Sequence, residues 1–123
     1  MNIQEIFDTV SVHLLTQNEK SQESDFYRSC LYRGPNGTKC AVGCLIKDEF
    51  YDSGLENYIA DSFCVINALE LSGIIISEEI ECLLVGLQNI HDTQEVSDWP
   101  NLLTNKGKEF NLDTSIIDLT LKK

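Results

Sequence analysis

The sequence predicts an α+β domain, mainly helical, with one β-hairpin. Two observations carry the helical part. Ile3, Ile6, Phe7, Val10 and Leu14 recur at helical spacing, and so do Ile80, Leu83, Leu84, Leu87 and His91 behind Ser77 as an N-cap. A third carries the hairpin. Gly34-Pro35-Asn36-Gly37 lies between CLYR and TKCAV, where proline presets φ and Asn-Gly accepts positive φ, a composition suited to a four-residue hairpin loop. With 123 residues, 42% apolar and 24% charged, the chain is long enough to bury one core, so residues 1–123 are expected to form a single domain.

The first helix is expected over residues 3–16, followed by a polar loop over 18–25. An aromatic and apolar run over 26–33 leads into the turn, and Gly43 closes the second strand. A short helix then starts at Cys44, with a start nearer Cys40 as the alternative. Residues 48–57 form a connection containing Tyr, Asp and Gly. Ile59, Phe63, Ile66 and Leu69 mark the next helix, which Ser72-Gly73 stops. In the helix capped by Ser77, Glu78, Glu79 and Glu81 occupy the first turn, where carboxylates oppose the positive end of the helix dipole. After a polar loop over 92–98, Ser97 or Asp98 caps a helix with Pro100 in its first turn and Trp99, Leu102, Leu103 and Phe110 along it, although Gly107 argues against continuity. Asp113 and Thr114 start a last short helix with Ile116, Ile117 and Leu119, whose β-branched residues leave a strand as the alternative.

Charge is distributed unevenly. Residues 48–105 hold 12 Asp or Glu and no Lys or Arg in 58 positions, within a chain of net charge -11. Such a surface repels phosphate backbones and anionic lipid and attracts cationic partners, which excludes a nucleic-acid-coating role and direct membrane binding. No apolar run reaches the ~18 residues of a membrane span. The N-terminus lacks the basic-then-apolar layout of a signal peptide, so a cytoplasmic protein with reduced thiols is expected. Five cysteines, an odd number, suit no closed disulfide framework. Residues 26–47 reverse the pattern: Arg28, Arg33, Lys39 and Lys47 with no acid among them. This basic island is expected to pair with the acidic helices across the fold.

The segment CLYRGPNGTKCAVGCLIKDEF, from Cys30, resembles a motif of short proteins from phages and prophages, of the form CxYRGP(N/D)GxKCAVGCLI followed by an acidic segment with Tyr. Ile90-His91-Asp92 and Trp99-Pro100-Asn101-Leu102-Leu103 are similar to the way those proteins continue. The likeness covers about half the chain. Residues 57–76 depart from it, and Lys47 stands where the pattern has proline. The resemblance implies a phage or prophage origin and expression inside a host cell, and it brings no catalytic residue with it.

Cys30, Cys40, Cys44 and His91 offer three sulfurs and one nitrogen, a set suited to structural zinc if the hairpin brings Cys30 beside Cys40. Against a metal, the chain has no Cys-x-x-Cys pair, and the leading reading is small buried thiols with no cofactor. A catalytic version would use Cys40 or Cys44 as nucleophile, its pKa lowered by Lys39, with His91 as base and Asp92 or Asp98 orienting it. His91 lies on the apolar helix face and no glycine-rich oxyanion loop is present, so no catalytic residue is assigned. His13, Cys64 and Cys82 read as packing residues. Tyr27, Tyr32, Tyr51 and Tyr58 read as the cover of the hairpin's inner side.

The function expected is that of a small acidic phage-type accessory protein. It would be a non-enzymatic binder or inhibitor of a basic, nucleic-acid-binding host or defence protein, anti-CRISPR-like or a nucleic-acid mimic. Glu78, Glu79, Glu81, Asp92, Glu95 and Asp98 are the candidate contacts. The alternatives are a Cys/His hydrolase-like enzyme, a zinc-stabilised regulatory domain and a homo-oligomer.

Overall fold

The computed structural model describes residues 1–24 and 28–123, which hold five α-helices: α1 (Ile3–Gln17), α2 (Phe63–Leu71), α3 (Glu78–Thr93), α4 (Trp99–Glu109) and α5 (Ser115–Leu121). Asn2 and Glu5 start α1 with a capping box, in which the Asn2 side chain accepts from the Glu5 N–H and the Glu5 carboxylate from the Asn2 N–H. Ile6, Phe7, Val10 and Leu14 are buried along α1. The helix packs against α5, and the Gln4 side chain ties the two by exchanging bonds with the backbone N–H and C=O of Asp113. α3 lies against α4 with the His91 and Trp99 rings 5.7 Å apart. Gly107 does not interrupt α4. It sits where a Cβ would fall 2.7 Å from the Phe7 ring and 2.6 Å from Thr114, so its missing side chain lets α1 and α4 close.

The α+β expectation is wrong. Among the described residues there is no sheet and no hairpin, only the isolated bridges Gln22↔Cys30 and Arg33↔Lys39. The turn itself forms, with Asn36 at φ 61° and Gly37 at φ 75°, and the Gly34 N–H donates to the Thr38 carbonyl at 2.8 Å. The strands do not, because side chains take the backbone groups that a ladder would use. The N–H groups of Tyr32 and Arg33 donate to the two oxygens of Glu56. The N–H of Lys39 goes to Gln17 Oε1, its carbonyl accepts from Gln17 and His13, and the N–H of Val42 goes to Gln88. Beyond Lys39 the chain turns at once, with Cys44 N–H on the Cys40 carbonyl and a single 3-10 turn over Gly43–Leu45. Gly43 is needed there, since any Cβ would run into the Tyr32 carbonyl.

Two further expectations change. The helix placed on Ile59, Phe63, Ile66 and Leu69 starts only at Phe63, and its buried residues are Val65, Ala68 and Leu69. Ile59 and Phe63 are instead 73% and 87% exposed. The Ser62 N–H and hydroxyl both bond the Ile59 carbonyl, closing a turn that breaks the stripe. Residues 115–121 are helical, which removes the strand alternative. Phe26, Tyr27 and the end of the expected 18–25 loop lie outside the described residues. No helix among the described residues is long and apolar enough to cross a membrane.

Candidate functional site

α3 presents the chemistry of the molecule at its C-terminal end. His91 is fully buried, and the backbone N–H of Ser21 donates to its Nε2 at 2.9 Å. An amide N–H can only donate, so Nε2 carries the lone pair and the ring proton sits on Nδ1. From there it donates to Asp92 Oδ1 at 2.7 Å. The same oxygen accepts Gln88 Nε2 at 2.8 Å, while Gln88 Oε1 holds the Val42 N–H at 2.9 Å. One turn of helix thus anchors two separate loops.

This arrangement decides the zinc question. Cys30, His91 and Asp92 each bring a potential ligand atom to within 4.8 Å of the others. Both His91 nitrogens are committed, however, and coordination through Nδ1 with the Ser21 N–H still on Nε2 would require an imidazolate. Cys40 and Cys44 do not join the cluster: the Cys40 sulfur accepts from the Gly43 N–H at 3.3 Å, and the Cys44 thiol donates to the Ala41 carbonyl at 3.1 Å. The set Cys30, Cys40, Cys44 and His91 is therefore not assembled, and the residues present do not fit the metal.

The reactive-cysteine alternative meets the same geometry. The His91 ring nitrogens face Ser21 and Asp92, and neither is left to take a proton from a thiol. Burial pushes the thiols of Cys40 and Cys44 up to about 12, outweighing Lys39 and Arg33 beside Cys44. Burial and then the Asp92 charge push Cys30 up to about 11. Lys39 does not activate Cys40, and thiols this reluctant to ionise are poor nucleophiles near neutral pH.

The carboxylates divide. Asp48 is taken by Arg33 at 2.7 Å and Lys39 at 3.8 Å, and Arg33 also lies 5.1 Å from the centre of the Tyr51 ring. Of the basic island, Arg33 and Lys39 thus pair with the connection after it, not with the acidic helices. Among the described residues, none of Glu78, Glu79, Glu81, Asp92, Glu95 or Asp98 is paired with a lysine or arginine. Glu78 and Asp92 fall on one exposed stripe of α3, with Glu81, Cys82, Val85 and Asn89 between them. At 1.5 Å per residue, Glu81 and Asp92 stand about 16 Å apart along it. Glu79 points about 100° away from Glu78 around the axis. The six contacts are therefore two patches, an N-terminal one at Glu78, Glu79 and Glu81 and a C-terminal one at Asp92, Glu95 and Asp98.

Beside the C-terminal patch a cleft of about 630 Å³ opens between α3 and the 56–61 segment. Tyr32, Cys40 and Gln88, all nearly buried, form its floor. Tyr58, Ile59 and Val85 line its walls and are 56%, 73% and 41% exposed. Asp61 and Asp92 also line it, and among the described residues no lysine, arginine or histidine does. The Tyr32 hydroxyl donates to the Tyr58 carbonyl at 2.8 Å and fixes the outer wall. Of the residues lining this cleft, the sequence marks Asp92 as a partner contact and Cys30 and Cys40 as candidate metal ligands, and it does not mark the apolar walls. A legible signal was Val85, an apolar residue at four-residue spacing from both Glu81 and Asn89 on the polar side of α3.

No protein-family model matches the chain, and neither does any curated protein or solved structure.

Proposed function

We propose that this chain is a non-enzymatic acidic binder that docks on a basic, nucleic-acid-binding host or defence protein in the host cytoplasm, in the manner of a nucleic-acid mimic or an anti-CRISPR-like inhibitor. The observation that carries the proposal is the set of six α3-associated carboxylates with no lysine or arginine partner. Carboxylates without a lysine or arginine partner, Glu78, Glu79 and Glu81 on α3 above all, keep their charge for an incoming cation, whereas Asp48 is paired with Arg33 and Lys39. The phage and prophage motif around Gly34-Pro35-Asn36-Gly37 supports the host-directed part of the reading. The C-terminal cluster supports no enzymatic alternative, since His91 has no nitrogen left to act as a base.

The test is affinity capture from bacterial lysate at about 50 mM and about 500 mM salt, the range over which exposed charges become screened. The wild type is expected to retain a basic nucleic-acid-binding protein at low salt and release it at high salt. The Glu78→Gln, Glu79→Gln, Glu81→Gln triple variant is expected to retain less. Capture of no basic protein, or equal capture by both forms, refutes the proposal.

A further inference from the structure

From the geometry we infer that the cleft between α3 and the 56–61 segment is a docking site for a short basic peptide segment with one apolar anchor, an aliphatic or aromatic side chain flanked by Lys or Arg. The inference deepens the acidic-binder reading and rests on it. Tyr58, Ile59 and Val85 expose apolar surface into one concavity, and Tyr58 and Ile59 belong to a segment that lies over the floor without burying them in the core. A cleft of this size falls in the range that holds a drug-sized ligand, so one large apolar side chain enters it with room for parts of its neighbours. Glu56, Asp61 and Asp92 line it and, among the described residues, no lysine, arginine or histidine does. Glu56 is held by Tyr32, Arg33 and Tyr51, so an anchor that enters there brings its own neighbours against Asp61 and Asp92.

Charge complementarity selects the occupant. An acidic peptide would bury apolar surface equally well but be repelled by the two carboxylates and the field of a chain of net charge -11, and a neutral one would gain no attraction from them. A second copy of this chain brings the same acidic surface against itself. The floor is already hydrogen-bonded: Tyr32 to the Tyr58 carbonyl, and Gln88 to Val42 and Asp92. Entry of an apolar anchor therefore strands no buried donor, and the walls stay in place.

The experiment is selection of random displayed peptides about twelve residues long on immobilised wild-type protein, followed by affinity measurement with the enriched peptides. Enriched sequences are expected to carry Lys or Arg on both sides of Leu, Phe or Trp. Their affinity is expected to fall at least about tenfold for an Asp61→Lys, Val85→Lys double variant and less than about threefold for the Glu78→Gln, Glu79→Gln, Glu81→Gln triple variant. Both altered cleft residues are exposed, and an unchanged thermal midpoint and near-ultraviolet dichroism establish that the double variant is folded. Basic peptides that lose affinity with the triple variant and not with the double variant overturn the cleft and leave the acidic-binder reading standing. Enriched peptides that are neutral or acidic overturn both. Failure to enrich any sequence, or a dimer in sedimentation that Ile59→Lys dissociates, overturns the cleft as a peptide site.

Discussion

Glu56 grips the backbone of Tyr32 from 24 residues away: its Oε1 takes the Tyr32 N–H at 2.8 Å while Oε2 takes the next N–H, that of Arg33, at 3.1 Å. Tyr51 donates its hydroxyl to the same Oε2 at 2.7 Å. One carboxylate thus stands in for the partner strand that a hairpin would supply. Charge-assisted bonds contribute about 1.5–3 kcal/mol each at best, but Glu56 is only half-buried and its three partners can turn to water when it is removed, so Glu56→Ala is expected to cost about 2–4 kcal/mol of stability in all. Glu56→Gln keeps a single acceptor oxygen and should cost about half of that. The urea midpoint, compared at unchanged slope, measures both.

Gln88 and His91 extend the same principle into the core. Gln88→Leu fits the volume but leaves the Val42 N–H buried without an acceptor, for an expected loss of about 1–3 kcal/mol. His91→Phe keeps the contact with the Trp99 ring, strands the Ser21 N–H and should cost a similar amount. Ring nitrogen NMR offers a direct check, since the bonds require the proton on Nδ1 and an unprotonated Nε2.

Buried thiols contribute to the loss of stability at alkaline pH. Cys40 and Cys44 have an ordinary value of 9.0 and are pushed by burial up to about 12, so the folded state holds their protons more tightly than the unfolded chain does. Stability from this source is present below pH 9 and lost as pH rises toward 12, at roughly 1.4 kcal/mol per pH unit for each thiol inside that window. Cys40→Ala should remove one thiol's share of the slope. In thiol titration of the native protein, exposed Cys82 should react first and Cys40 last.

His13 contributes to the loss of stability in mild acid. Burial, followed by the charge of Lys39 and the proximity of His91, holds the ring below its ordinary 6.5, against the opposing effect of its bond to the Lys39 carbonyl. The unfolded chain then takes up the proton first, so this contribution is present above pH 6.5 and lost as pH falls through the lowered folded value. His13→Gln retains a donor for the Lys39 carbonyl, and its urea midpoint should fall less than the wild type's between about pH 7 and pH 5.

The helices were legible because their signals are local. The stripe from Ile6 to Leu14 and the Ser77 cap each lie within a few residues of what they control, whereas the Asn2–Glu5 capping box emerges only in the structure. The hairpin expectation failed for the opposite reason. Gly34-Pro35-Asn36-Gly37 does make the turn, but whether strands follow depends on what satisfies Tyr32, Arg33 and Lys39, and the answers are Glu56 and Gln17, which no local pattern marks. Ile59 and Phe63 misled because a helical stripe says nothing about a turn closed by Ser62. His91 was placed correctly on the apolar face of α3, while its partner Ser21, 70 residues away, was invisible. The six acidic contacts cluster around one helix in the sequence, whereas the length of α3 separates them into two patches.

The measurement that tests the account most directly is the salt dependence of affinity for the captured basic partner, compared between the wild type and the Glu78→Gln, Glu79→Gln, Glu81→Gln variant. If unpaired carboxylates on α3 hold the partner, wild-type affinity falls steeply with rising salt and the variant's line is shallower, the two converging at high salt. Parallel lines, or a wild-type affinity indifferent to salt, would contradict it.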